Sequence, residues 1–216
     1  RTAGMSLPWQ RATLESEGLS GPSRAGLLLR DNLLHRARIE RAYLKAIGSA
    51  RHEVVIANAY FLPGRRLRQA LVHAAQRGVR VRLLLQGRYE YFMQYHAARP
   101  VYGSLLDAGV EIFEYDASFL HAKVAVVDPD NERPWATVGS SNLDPLSLLL
   151  AREANVVVAD RAFVQRLHQR LSQVIQTQST PVVMDVHSQR RWHQRLRDRI
   201  AFGLMRLALF LTGYRY

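Results

Sequence analysis

The sequence predicts an α/β fold in which a mixed, largely parallel β-sheet is flanked by helices, and three observations carry that expectation. Short β-branched apolar runs alternate with stretches of helical apolar spacing along most of the chain. One strand, helix, strand unit closes within residues 53–85, which sets its two strands parallel. Two later apolar runs are separated only by turn-forming residues and read as a hairpin.

Residues 1–27 mix Gly4, Pro8, Gly18, Gly21 and Pro22 with charge and read as a linker or lead-in. From Asn32 the pattern changes: Leu33, Leu34, Ile39, Tyr43 and Ile47 recur at helical spacing, with Asp31 as N-cap and Gly48 as stop. Glu53 to Tyr60 is a continuous apolar run of the kind a strand covered on both faces requires. A helix striped by Leu67, Ala70, Leu71 and Ala74 follows, ends at Gly78, and leads to the strand Val79 to Leu85. A helix near Val101 to Ala108 precedes the strand Val110 to Tyr115. Ala122 to Val127 and Trp135 to Val138 form the hairpin, Ala154 to Ala159 a further strand, and Arg161 to Gln176 a basic amphipathic helix. The reading gives a main domain over residues 28–177 and a basic, apolar tail over residues 178–216.

The 216 residues are 48% hydrophobic, enough for a core of ordinary size. With no cysteine, disulfides, thiolate metal sites and thiol redox chemistry are excluded. The formal charge is +12, and because Lys occurs only at Lys45 and Lys123, the other 28 of the 30 basic residues are Arg. Such a surface suits a polyanion, either nucleic acid or an anionic bilayer. The first residues carry no sustained apolar segment of the signal-peptide kind, and Arg1 in first position points to a portion of a longer polypeptide.

The chemistry concentrates between His121 and Glu153. On a strand, His121 and Lys123 lie two residues apart and share a face. The ammonium supplies a point charge for phosphoryl oxygens, while the imidazole can attack phosphorus or protonate a leaving alkoxide. Gly139-Ser140-Ser141-Asn142 follows the next strand, where Gly139 permits close backbone approach and Ser140 and Asn142 offer donors to phosphate. Glu153 opens the strand after that and is the candidate to accept the proton of the idle imidazole nitrogen. A lone His at a strand start is ordinarily an edge residue, but His, Lys, Gly-Ser-x-Asn and Glu in this order are not a chance set.

His121-x-Lys123-x4-Asp128 followed by Gly139-Ser140-x-Asn142 resembles the HKD signature of the phospholipase D superfamily. The resemblance implies that His121 and Lys123 are catalytic, that Ser140 and Asn142 contact the substrate phosphate, that Asp128 and Gly139 are structural, and that Glu153 orients the imidazole. One departure is that ten residues separate Asp128 from Gly139, a longer hairpin tip than is usual in the family. Val55 to Gly64, with Tyr60-Phe61-Leu62-Pro63, and Ser141 to Leu148 are similar to bacterial cardiolipin synthases, most of all their type B branch. The likeness spans about residues 29–175. It implies a phospholipase D-like half-domain and a phosphatidyltransferase that forms cardiolipin from phosphatidylglycerol through a phosphohistidine, with no cofactor and no metal. It also implies a peripheral location at the cytoplasmic face of the bacterial inner membrane.

That reaction uses two HKD sets and this chain carries one, so the second is expected from the N-terminal half of the same polypeptide or from a second copy. The rival enzyme reading is a phospholipase D-like nuclease acting as a dimer, and a third is a half-domain inactive by itself. The tail weighs against nucleic acid: Ile200 to Leu211 is densely apolar and has no use on a phosphate backbone. Arg206 interrupts it, and it falls short of the ~20 residues that a spanning helix needs. With Arg190, Arg191, Arg195, Arg197 and Arg199 before it and Trp192, Tyr214 and Tyr216 flanking it, the tail suits either a helix lying in a membrane interface or one docked on the domain.

Overall fold

The computed structural model describes residues 25–30, 37–88, 92–144, 152–183 and 192–211. Among them an eight-stranded sheet runs in the order β1 (Ala25–Arg30), β7 (Glu153–Val158), β6 (Trp135–Gly139), β5 (Lys123–Val127), β2 (Glu53–Asn58), β3 (Arg80–Gln86), β4 (Glu111–Tyr115), β8 (Ser179–Pro181). Its centre is β2 (Glu53–Asn58), whose Val54, Val55, Ile56 and Ala57 are all fully buried. An unbroken apolar run is what burial on both faces demands.

Successive side chains of a strand point to opposite faces, so the central strands feed two cores. One holds Val54, Ile56, Val81, Leu83, Leu85, Ala125 and Val127 under α1 (Arg38–Ser49), α2 (Arg65–Gln76) and α3 (Phe92–Leu106). The other holds Val55, Ala57, Leu84, Val126 and Ala136 under α4 (Arg161–Gln178), which contributes Val164, Leu171 and Ile175. Asp160 caps α4 by accepting from the Phe163 N–H at 2.8 Å. Tyr43 on α1 meets Trp135 edge-on at a centroid distance of 5.6 Å, a contact worth about 0.5–1.5 kcal/mol beyond its area.

The mixed sheet and its helical layers match the sequence expectation, but the sheet is not largely parallel: parallel pairing is confined to β2, β3 (Arg80–Gln86) and β4 (Glu111–Tyr115), because only there does a helix carry the chain back between adjacent strands. The remaining five neighbours pair antiparallel: β5 (Lys123–Val127) on β2, β6 (Trp135–Gly139) on β5, β7 (Glu153–Val158) on β6, β1 on β7 and β8 on β4. The expected hairpin is β5–β6.

Three boundaries move. Ala25–Arg30 forms β1 on the far side of β7, so residues assigned to the lead-in already belong to the sheet. Its Leu27-Leu28-Leu29 core lacks β-branching, and periodicity does not separate so short a run from a helix. At the other end Ser179–Pro181 forms β8 against β4, extending the sheet into the segment assigned to the tail. The third helix begins at Phe92, well before Val101, and carries Pro100 inside it. The expected cap Asp31, with Leu33 and Leu34, lies outside the described residues, as do residues 1–24.

The tail forms α5 (Trp192–Leu211), which packs on α3. Ala201 is buried, Phe202 packs against the core, and Asp198 meets His96 of α3 in a buried pair at 2.7 Å. The docked alternative therefore describes one face of this helix.

Two carboxylates, Asp128 buried and Glu53 partly buried, tie the far end of the sheet. Asp128, just past β5, stands at φ 48°, a left-handed conformation that Asp tolerates better than most residues. Its side chain accepts backbone N–H groups from Arg51, His52 and Glu53 at 2.8–2.9 Å. Glu53 pairs with Arg82 at 2.8 Å and with His168 of α4 at 2.6 Å, and Arg82 also donates to Ser172. Burial pushes the Glu53 carboxyl up, but the His168 hydrogen bond and the Arg82 charge outweigh it and hold it below its ordinary value. In Asp128 burial again pushes up, and the backbone donors of Glu53, His52 and Arg51 win. Depressed carboxyls stabilise the fold fully above the unfolded value, near 4, and lose that contribution as pH falls through the folded value. Asp128→Asn should therefore lower unfolding stability at pH 7 by about 1–3 kcal/mol and shrink the loss between pH 7 and pH 3 in urea titrations. An unchanged acid slope would show that Asp128 carries no such linkage.

Candidate active site

The signature residues gather where β5, β6 and β7 meet, at the opposite end of β5 from Asp128. β5 begins at Lys123, so His121 lies just before the strand rather than on it. The segment leading to it is held by side chains of its neighbours. Leu120 N–H donates to Gln86 Oε1 at 3.0 Å, and Arg88 donates to the carbonyls of Asp116 and Ala117. Ala59 N–H donates to the Ala122 carbonyl, which fastens the residue after His121 to the end of β2. His121 is exposed, whereas Lys123 is buried with Nζ donating to the His121 carbonyl at 3.0 Å. A mobile ammonium is thereby confined next to the imidazole-bearing residue.

Gly139 ends β6 directly opposite Asn155 of β7. A Cβ on Gly139 would lie 2.3 Å from Asn155 Oδ1 and 2.4 Å from the Ala154 carbonyl, so the close approach of these strands needs glycine. Ser140 follows, exchanging backbone and hydroxyl hydrogen bonds with Ala154, and its Oγ donates to Glu153 Oε2. Ser141 is fully buried and Asn142 nearly so.

The structure thus brings Ser140 and Glu153 together but does not place Glu153 on the His121 imidazole. Glu153 Oε2 accepts from the Ser140 hydroxyl instead. Glu153 opens β7 and Ser140 follows β6, its immediate neighbour, whereas His121 precedes β5, one strand further away. Two strand spacings amount to about 10 Å. Asp128 is about 16 Å away along β5, its oxygens occupied by backbone donors.

Sequence reasoning missed the residues that hold this loop. Asn58, fully buried at the end of β2, stands opposite Lys123 and accepts the Leu143 N–H at 3.1 Å. Leu143 in turn bridges Phe61 and accepts from the Leu62 N–H. Asn155 accepts the Ser141 N–H at 3.4 Å and donates to Thr137 Oγ1 at 3.1 Å. The available signal was polar residues at positions 58, 137 and 155 inside otherwise apolar strand runs, since buried polar groups persist where they are hydrogen-bonded.

Comparison with known proteins adds a decisive observation. The family model described as cardiolipin synthase, PLD-like domain, matches residues 43–175. The chain belongs to that family. It is similar to cardiolipin synthase B of Escherichia coli strain K12, with 44% identity over 208 residues. That match covers 95% of this chain and 49% of the relative, so the chain spans about half the length of the protein it resembles. Among solved structures, the phospholipase D family member Nuc from Salmonella typhimurium superposes with a TM-score of 0.60 at 20% identity, covering 74% of this chain and 98% of that one. Phosphatidylserine synthase from Haemophilus influenzae superposes with a TM-score of 0.66 at 12% identity, covering 85% and 46%. At those identities the two structures establish a shared fold, and the cardiolipin synthase family rests on the sequence matches.

Gly139→Ala should be poorly tolerated: overpacking of this kind costs about 1–3 kcal/mol, and the Ser140 loop must shift to relieve it. Asn58→Leu, alike in branching though larger, should leave the sheet folded but free the Leu143 N–H and loosen the loop. Thermal melts should show a larger drop for Gly139→Ala, and amide exchange should show faster exchange at Leu143 in Asn58→Leu. Unchanged protection at Leu143 would remove Asn58 from the loop's support.

Proposed function

We propose that the chain supplies one of the two HKD motifs of a phospholipase D-type phosphatidyltransferase that forms cardiolipin from phosphatidylglycerol. The observation that carries this reading is the cardiolipin synthase family match across residues 43–175, centred on a motif whose Lys123 is confined beside His121.

Two displacements at phosphorus account for the reaction. An imidazole nitrogen attacks the phosphodiester of the first phosphatidylglycerol, forming a P–N bond as the P–O bond to the headgroup glycerol breaks. A second imidazole gives that alkoxide its proton. The hydroxyl of a second phosphatidylglycerol then gives its proton back to the second imidazole and attacks phosphorus, breaking the P–N bond. Lys123, Ser140 and Asn142 are the groups assigned to the phosphoryl oxygens, as a charge and donors. Glu153 takes the one Ser140 hydroxyl proton in this structure, so Ser140 serves phosphate as a donor by turning that proton from Glu153 to the substrate, and His121 is assigned the acid and base role.

One imidazole cannot be phosphorylated and serve as acid at the same step, so a second motif must face this one. The half-length match to the cardiolipin synthase B relative supports the N-terminal half of the same polypeptide as its source. An uncovered part of the sheet supports it too. Leu27 and Leu29 of β1, Val138 of β6 and Val156 of β7 share a face and are each more than a third exposed, beside the loop of Ser140 and the strand of Glu153. A phospholipid substrate places the protein at a bilayer, on the cytoplasmic side in this reading. No helix of the described residues is long and apolar enough to cross one.

His121→Ala in the full-length protein should abolish cardiolipin formation from labelled phosphatidylglycerol, read by lipid mass spectrometry, with an unchanged thermal melt. Lys123→Arg should lose at least tenfold, because a planar guanidinium does not fit a site built for a compact ammonium. Near-normal turnover in either variant would remove the motif from catalysis. The 216-residue chain assayed as a verified monomer should show no transfer, and robust activity there would defeat the two-motif reading.

A further inference from the structure

Helix α5 has two apolar faces, and only one is used inside the protein. Asp198, Ala201 and Phe202 turn toward α3 and the core. On the other side Trp192, Leu196, Ile200 and Leu204 are 76%, 48%, 53% and 52% exposed. These four recur every fourth residue, so at about 3.6 residues per turn they form one gently winding stripe across more than three turns. The same helical geometry sets Arg199 on one border of the stripe and Arg197 on the other, and both are exposed. A continuous exposed apolar stripe marks a contact surface, whereas scattered apolar residues do not.

We propose that this outer face of α5 is the surface by which the protein lies on an anionic lipid bilayer. The stripe enters the boundary between headgroups and acyl chains, and the bordering arginines meet lipid phosphates. The proposal deepens the phosphatidyltransferase reading and rests on it for the substrate class.

Charge complementarity selects the occupant. An apolar stripe bordered by cations on both sides, with Trp192 at one end, is the form of a helix lying in the plane of an interface. The chain carries a net charge of +12, which favours an anionic surface. The buried His96–Asp198 pair gives the arrangement its rigidity, because it fixes the rotation of α5 on α3 and so fixes which face is presented. Truncating the tail would uncover α3 and confuse docking with lipid contact. Substitutions on the outer face separate the two.

The test uses the full-length protein and sedimentation with vesicles of phosphatidylcholine containing a third phosphatidylglycerol, or of phosphatidylcholine alone. The triple variant Leu196→Ser, Ile200→Ser, Leu204→Ser should keep the wild-type melt and lose at least tenfold in binding to the anionic vesicles even at low salt. The double variant Arg197→Gln, Arg199→Gln should bind phosphatidylcholine vesicles as the wild type does, bind anionic ones more weakly, and show a smaller loss on adding salt. Transfer measured in detergent micelles keeps the two readings apart: both variants should retain it, whereas His121→Ala should lose it while still binding vesicles. Wild-type vesicle binding by the triple variant overturns the proposal. So does a change in its oligomeric state or melt with vesicle binding intact, since the stripe would then cover protein.

Discussion

The antiparallel pairing of β5 on β2 is the contact on which the site depends. It is gripped at both ends by buried polar side chains: Asp128 takes three backbone donors at the start of β2, and Asn58 takes the Leu143 N–H at its finish. Between them Val54 to Ala57 lie buried on both faces. Register is therefore fixed, because a slip of one residue would turn every apolar side chain to the wrong core and strand both polar grips without partners. With register fixed, Lys123 has to sit opposite Asn58, and His121 has to emerge just beyond the sheet.

The two ends of that pair do different work. At the Asp128 end, carboxylates are consumed by backbone and cationic partners, and the Glu53, Arg82 and His168 cluster joins β2, β3 and α4. Buried charges of this kind cost free energy unless they are paired, and here Arg82 meets Glu53 and donates to Ser172 while His168 bonds the same carboxylate. At the His121 end, the imidazole is presented while Lys123 and Ser140 are hydrogen-bonded to their neighbours beside it. The imidazole-bearing residue is exposed, and the loop from Ser140 to Leu143 is pinned from beneath by Asn58 and Asn155. A firm far end and a supported loop are what preorganised phosphate chemistry asks of a scaffold.

The sequence by itself determined the motif and much of the layering. His121, Lys123, Asp128, Gly139, Ser140, Asn142 and Glu153 were legible because their order and spacing are local properties of the chain. Strands β2 to β7 were legible because apolar runs rich in β-branched residues between turn signals have few other uses. The edges were not. β1 and β8 are strands only because β7 and β4 offer them a ladder, and short segments have no stable extended form without a neighbour.

Only the tertiary structure decided the partners of the polar residues. Asn58 and Leu143, or Glu53 and His168, are far apart in sequence, and no periodicity couples them. The same holds for Glu153: its place in the motif suggested the imidazole, but strand order set it against Ser140. The tail shows the division most clearly. Its composition fitted both a docked helix and an interfacial one, because each needs an apolar stripe and hydropathy does not say what a stripe faces. The His96–Asp198 pair fixed the rotation, so that Ala201 and Phe202 meet the protein while Leu196, Ile200 and Leu204 face outward.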